Sequence, residues 1–452
     1  MLQLQYQRVQ AAIRQVDLAG LAPTMLAFMK ANVASNALVF VDQHGVMSKP
    51  GCIIASPSFS GVTDQDYVHH WTRDAAITAV EIAESLPPNS GVDQALCDYV
   101  SFSEICQTNA INSGHFFRAA FQIDGNVRDW SDQKDGPALQ SLAFVSAWPF
   151  LDDPSKATAR QVAQRSLNET VNNWRNNVQM FGPWEDVEGP SFFARAAQVR
   201  FLEQVQSTNT LGLRPPAEFE PALEGMKNAL DTHWDDAQGF YLSIPGGVAG
   251  DPTFTDVSGF DPNTDVVMAC IYGSISCTDP KLLATAAKVR AVYDVGGSTS
   301  YPINEADRDD AERGFGPMVG RYPSDTYDGN VGRDREHPTK DHPWALCTAN
   351  FAQLYYLVAR AFESGRAAAY DDLTGSFFGQ IGLDASTVNN PADASTVADA
   401  LRTAGDKMLQ AVIFHSDHYR LSEQFDGTTG FEKSVSDLTW SYAAYLRAIR
   451  TR

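Results

Sequence analysis

The stretch GPWEDVEGPSFF, Gly182–Phe193, sets three carboxylates, Glu185, Asp186 and Glu188, beside the indole of Trp184 and directly ahead of an apolar segment. An apolar neighbour and nearby negative charge both raise a carboxyl pKa, so the arrangement suits an acid that stays protonated near neutral pH. A helix N-terminus acts the other way. The apolar face Phe192, Ala196, Val199, Leu202 and Val205 puts one at Pro190 or Ser191. That effect fades within a turn and falls on Asp186 and Glu188 more than on Glu185, which leaves Glu185, in the preceding loop, as the candidate proton donor. A second acid, Glu423, precedes a glycine-bearing loop that leads into the last helix, in LSEQFDGTTGFEKSVSDLTWSYAAYLRAI. Two carboxyls on separate loops, each flanked by aromatics, are what cleavage of a glycosidic bond requires. One protonates the leaving oxygen and the other activates water or attacks carbon.

Loops of this kind need a scaffold. Apolar residues recurring three and four apart predict helices over 4–18, 23–36, 75–87, 93–107, 137–150, 154–178, 191–207, 217–233, 281–293, 343–364, 394–414 and 436–450. Alternating strands are few and short, with Ala37–Asp42, Gly51–Ala55 and Gly239–Ser243 as candidates. The chain therefore reads as all-α, and with no Pro/Gly/Ser-rich linker and no legible repeat it reads as a single domain over 1–452. Long connections at Val41–Arg73, Asp124–Pro137, Gly182–Pro190, Tyr301–Pro343 and Leu421–Val435 hold Trp, Tyr, Arg and Asp rather than linker residues. They are expected to form the lip of a cavity on a helical barrel.

Composition narrows the partner. A formal charge of -21 on 452 residues repels nucleic acid and anionic membranes, so a neutral substrate and a monomer are expected. No apolar run reaches membrane-spanning length, and the first residues, MLQLQYQRVQAAIRQVDLAG, read as an amphipathic helix rather than a leader. A soluble protein is expected, either cytoplasmic or secreted with its leader removed. Cys52, Cys97, Cys106, Cys270, Cys277 and Cys347 form no CxxC pair; buried thiols are the expectation, with Cys270 and Cys277 the pair to bridge in an oxidising compartment. His69 and His70 lack a further ligand at metal-site spacing, DTYDGNVGRD lacks the register of a calcium loop, and VGGSTS lacks the lysine of a phosphate loop. No metal and no cofactor are expected.

Six blocks in order, YVHHWTRDAAIT, DGPALQ, GPWEDVEGPSFFARA, VGRYPSDTY, HPWALCTANF and SEQFDGTTGFEKSVSDLTWSYAAYLRA, resemble the motif blocks of glucoamylases, the glycoside hydrolase family 15 enzymes. The resemblance implies an (α/α)6 barrel and exo-acting hydrolysis of α-1,4-glucans from the non-reducing end, slower at α-1,6 links, with release of β-glucose. It implies Glu185 as general acid and Glu423 as general base, the two carboxyls standing about 6.5–9.5 Å apart as inversion requires. By the same resemblance Arg73 and Asp74 grip the terminal glucose, and Arg321 is a second arginine of the pocket with Asp325 and Tyr327 following. Tyr67 and Trp71 match rings near the reacting sugar. Trp130 matches the tryptophan before DGPA, at a spacing one residue short of the commonest pattern. Trp184 lies beside the acid, while Trp344 and Trp440 match pocket aromatics near the mouth and the base. Tyr442 reads as core.

Departures from the pattern bear on specificity. Asp186 stands where a second glutamate is usual, on the leaving side of the sugar, and Pro183 replaces a leucine before Trp184. The charged segment DGNVGRDREHPTKD between Tyr327 and Trp344 is an insertion that would reshape the mouth. With no starch-binding module, dextrins are expected over granules. The rival readings are a relative that prefers α-1,6-glucan or trehalose, an inverting phosphorylase on the same barrel, and a sugar-binding protein on an inactive scaffold. Glu423 at the base position favours water over phosphate, and the presence of both acids with Arg73 and Asp74 favours an active enzyme.

Overall fold

The structure is a computed structural model that describes residues 16–59, 65–176, 179–250, 257–310, 313–329 and 342–452. Along the chain, helices α1 (Ala22–Lys30), α3 (Gln94–Asn112), α5 (Asp153–Asn172), α7 (Phe219–Asp231), α9 (Pro280–Tyr293) and α14 (Ala394–His415) alternate with a second set. That set is α2 (Thr72–Glu84), α4 (Gly136–Ala147), α6 (Phe192–Ser207), α8 (Thr264–Tyr272), α11 (Ala345–Glu363) and α15 (Thr439–Thr451). Short helices α10 (Pro302–Asp309), α12 (Gly375–Gly379) and α13 (Ala385–Val388) fill connections. In the second set α2 packs on α4, α4 on α6, α6 on α8, α8 on α11, α11 on α15, and α15 back on α2, so the ring closes. The first set wraps it: α1 lies on α15, α7 on α6, α9 on α8 and α14 on α11. This is the (α/α)6 barrel.

Burial follows from position in the two rings. Helix α7 of the outer ring buries Phe219, Ala222, Leu223, Met226 and Leu230, the stripe of a helix with one face in water. Inner helix α11 is buried without a break from Ala345 to Tyr356, because one side meets the barrel axis and the other the outer ring. Close packing of the two rings depends on small residues. A Cβ on Gly405 of α14 would stand 2.6 Å from the ring of Tyr356 on α11, so Gly405→Ala would push the pair apart.

Most helices fall where the periodicity puts them, with four additions, of which α12 and α13 are single short turns too brief to show a period. Helix α8 (TDVVMACIY) buries nearly every residue and so shows no stripe, and α10 lies within the connection Tyr301–Pro343. Of the segment 4–18, residues 4–15 lie outside the described residues. Among the strand candidates only 239–243 contains a strand, Phe240–Tyr241, while Val41 and Ile53 make isolated bridges to Met47 and Val33. All six cysteines are free thiols, Cys270 and Cys277 included. Among the described residues no helix is long and apolar enough to cross a membrane.

The residues that precede five of the inner helices meet at one cavity, Trp71, Trp344 and Leu438 in its lining, Asp135 paired with Arg73 of that lining and Asn263 bonded to its Trp184. The N-termini of α2, α4, α8, α11 and α15 therefore gather at one end of the barrel. Partial positive charge from these ends favours carboxylates there.

Candidate active site

A cavity of about 1000 Å³ opens at that end. Every residue expected in the site lines it except Asp325. The exposures run from rim to floor: Trp130 is 36% exposed, whereas Trp440 is 4%, Arg73 5% and Glu423 3%.

Glu185 sits in the turn between strands Met180–Phe181 and Val187–Gly189, which pair antiparallel. Its φ of 68° places it in the left-handed region, a conformation a non-glycine residue holds when its surroundings fix it. Glu185 and its neighbour Trp184 take different partners. Trp184 is buried, its Nε1 donating to Asn263 Oδ1 at 2.8 Å and its ring packed on Trp344 and Trp440. The indole that meets the acid is that of Trp130, whose Nε1 donates to Glu185 Oε2 at 2.7 Å. Gln133, which sequence reasoning missed, donates from Nε2 to Glu185 Oε1. Its orientation is set by Arg73, whose Nη1 donates to Gln133 Oε1 at 2.5 Å and to Asp135 Oδ2 at 3.1 Å. The signal was present in the sequence, as Gln133 falls between Trp130 and the DGPA block.

Glu423 is held from both sides of the barrel mouth. Its backbone N–H donates to Val435 at 3.0 Å and its carbonyl accepts from Ala345, the first residue of α11, at 3.2 Å. Tyr67 Oη donates to Glu423 Oε1 at 3.0 Å, Tyr327 Oη to Oε2 at 3.1 Å, and Ser434 Oγ to Oε2 as well. Burial pushes the Glu423 carboxyl above its ordinary value, while the Ser434 and Tyr67 hydroxyls and the charge of Arg321 pull against it. Ser434 carries no motif signal in the sequence. Tyr442 is fully buried, as expected of core, and pins the same loop by donating to Asp437 and accepting from Leu421 N–H.

Two buried arginines divide the remaining polar groups. Arg73 Nε lies 3.6 Å from Asp74 Oδ2, too long for a hydrogen bond, and both atoms are buried without a hydrogen-bond partner. Burial pushes the Asp74 carboxyl up to about 7 against the opposing charge of Arg73. Arg321 makes a bidentate pair with Asp325 (2.7 and 2.6 Å) and an ion pair with Asp186 Oδ2 at 2.9 Å. Four rings, Trp184, Tyr322, Tyr327 and Trp344, surround its guanidinium at 4.9–5.7 Å. Asp325 thus lies behind Arg321 rather than in the cavity wall, and Trp344, 5% exposed, lies on the floor rather than near the mouth. Asp186 also accepts from Tyr322 Oη at 2.7 Å. The inserted segment falls mostly at 330–341, outside the described residues.

Together these groups present the carboxylates Glu185, Glu423, Asp74 and Asp186, the unpartnered Arg73 Nε and Asp74 Oδ2, and a wall of indoles to one concave space, which suits a polyol with apolar C–H faces. Comparison with known proteins agrees. The family model described as Glycosyl hydrolases family 15 matches residues 40–450. "Probable glucoamylase" of Schizosaccharomyces pombe is 27% identical over 430 residues, covering 90% of this chain and 86% of that protein. "Glucoamylase GLA1" of Saccharomycopsis fibuligera is 26% identical over 468 residues, covering 89% and 84%. The solved glucoamylase structure from Saccharomycopsis fibuligera superposes with a TM-score of 0.76 at 22% identity, covering 97% of this chain and 96% of that one. The glucoamylase structure from Hypocrea jecorina superposes with the same TM-score, 0.76, covering 95% and 71%.

Proposed function

The chain belongs to glycosyl hydrolases family 15, and from that premise we propose that it is an exo-acting, inverting hydrolase releasing β-D-glucose from the non-reducing ends of α-1,4-glucans. The observation that carries this reading is that Glu185 and Glu423 face one cavity from separate loops, with the unpartnered Arg73 Nε and Asp74 Oδ2 in the same wall. Glu185 gives its proton to the glycosidic oxygen. Glu423 takes one from a water attacking the anomeric carbon on the opposite face. Arg73 and Asp74 bind hydroxyls of the terminal sugar, Arg321 and Asp186 hold the adjoining wall, and the indoles cover its C–H faces. The buried floor of Trp440, Trp184 and Trp344 supports an exo mode, since a chain reaches it only by its end.

The test is proton NMR of the anomeric signals from the first minutes after mixing with maltose, maltotetraose and isomaltose in phosphate-free buffer. Initial β-glucose is the expected outcome, with isomaltose the slower substrate. Initial α-glucose would overturn inversion, and glucose 1-phosphate formed only on adding phosphate would assign a phosphorylase. Glu185→Gln and Glu423→Gln should each abolish turnover and retain maltose binding.

A further inference from the structure

Arg128 belongs to none of the motif blocks, and a lone loop arginine is ordinarily a solvated charge. In the fold it is half-buried in the cavity wall. Its guanidinium carbon stands 4.2 Å from the centroid of Trp130 and 5.3 Å from that of Trp71. The two indoles meet edge to face, 5.9 Å apart and at 90°, so Arg128 fills the corner they form. Its Nη1 is buried and has no hydrogen-bond partner among the described residues. A buried guanidinium N–H left open is rare unless something outside the fold completes it.

The location tells what completes it. Arg73 and Asp74 lie deep, at 5% and 8% exposure, whereas Arg128 shares the rim with the 36% exposed Trp130. Trp130 also donates to Glu185, the group that must meet the oxygen of the departing sugar. A side chain packed on that indole at the rim therefore faces the part of the glucan beyond the scissile bond. The neighbouring carboxylate Asp66 already accepts from Gln43 at 3.0 Å and meets His69 at 3.2 Å. The charges of Asp66 and Glu185 both act on Arg128, so the site suits a neutral hydroxyl better than an anion.

We infer that Arg128 is a specificity residue for the leaving side, its Nη1 donating to a hydroxyl of the departing sugar from the corner between Trp71 and Trp130. The inference rests on the hydrolase reading above. It is tested by steady-state kinetics of the wild type and Arg128→Leu on maltotriose and on α-D-glucosyl fluoride, whose leaving group is a fluoride ion and not a sugar. Loss of one charge-assisted hydrogen bond should lower kcat/KM on maltotriose about 10-fold or more, chiefly through KM, and leave the fluoride within about 2-fold. Arg128→Lys, which keeps the charge and loses the planar fork, should restore only part of the maltotriose rate. Equal losses on both substrates would overturn the inference, making Arg128 a prop for Trp130 and Glu185, and unchanged kinetics on both would overturn it outright. A wild type that cleaves neither substrate would instead remove the hydrolase reading, and the inference with it.

Discussion

The hydroxyl of Tyr67 lies 3.0 Å from Oε1 of Glu423. It is also 2.9 Å from the Tyr327 hydroxyl, which stands 3.1 Å from Oε2 of the same carboxylate. Each phenol carries one proton, so two protons serve three short contacts, and both go to Glu423 only when it is ionised. Burial meanwhile favours the neutral carboxyl. Tyr67→Phe removes a donor that favours the ionised base, which raises the pKa of Glu423 further. The acid limb of the kcat/KM profile should move to higher pH, and kcat should fall about 10-fold, the worth of one such hydrogen bond. A pH–rate profile checks this. A limb that stays in place or moves to lower pH would mean that Glu423 is not the base.

Gln133 connects Arg73 to Glu185 without reaching the cavity surface itself. Replacing it by leucine keeps the volume and deletes both bonds, freeing the acid to turn about Trp130. The expected result is a loss of about 10–100-fold in kcat with KM little changed, since positioning of the acid matters in the transition state more than in the bound state. A loss confined to KM would place Gln133 in sugar binding instead.

That Glu185, Glu423, Arg73 and Asp74 meet in one cavity, and most helix spans, were legible from the sequence, because periodic apolar stripes and motif blocks are local signals. What was not legible depends on contacts between distant segments. Helix α8 is buried all round, so no stripe marks it. The pairing of Glu185 with Trp130, rather than with the Trp184 beside it in the chain, joins segments 55 residues apart. Asp325 sits at the family spacing yet serves Arg321 rather than the cavity, a distinction that spacing alone does not carry.

Arg321 offers a test of stability separate from activity. It is 3% exposed and balances Asp325, 1% exposed, together with Asp186. Arg321→Met fills the space but leaves a buried carboxylate without its cation, which should cost about 3–5 kcal/mol in chemical denaturation. Arg321→Lys keeps the charge and loses the bidentate geometry, so its cost should be smaller. Equal midpoints for the wild type and Arg321→Met would show that the pair stabilises nothing.

Asp261 and Asp265 lie behind Trp184 around a single serine. Ser243 N–H donates to Asp261 Oδ1 at 2.9 Å and Ser243 Oγ to Asp265 Oδ2 at 2.6 Å, while Asp265 Oδ1 is buried without a partner. Among the described residues neither carboxyl is paired with a cation. Burial pushes Asp261 up to about 7 and Asp265 up to about 8, from an ordinary value of 3.8. A carboxyl whose pKa is raised on folding favours the folded state fully below its unfolded pKa, and that contribution is lost as pH rises through the folded value. The fold should therefore lose stability between about pH 4 and about pH 8. Asp265→Asn accepts the same bond from Ser243 and cannot ionise. It should melt at or slightly below the wild type near about pH 3.5, below the unfolded pKa, and above it, by about 2 °C or more, near about pH 9. Calorimetry at the two pH values decides the matter, and an unchanged pH slope would rule the pair out as its source. Asn263, between the two acids, holds the Trp184 indole through Oδ1, so activity in the wild type should fall with the melting point on the alkaline side and should do so less in Asp265→Asn.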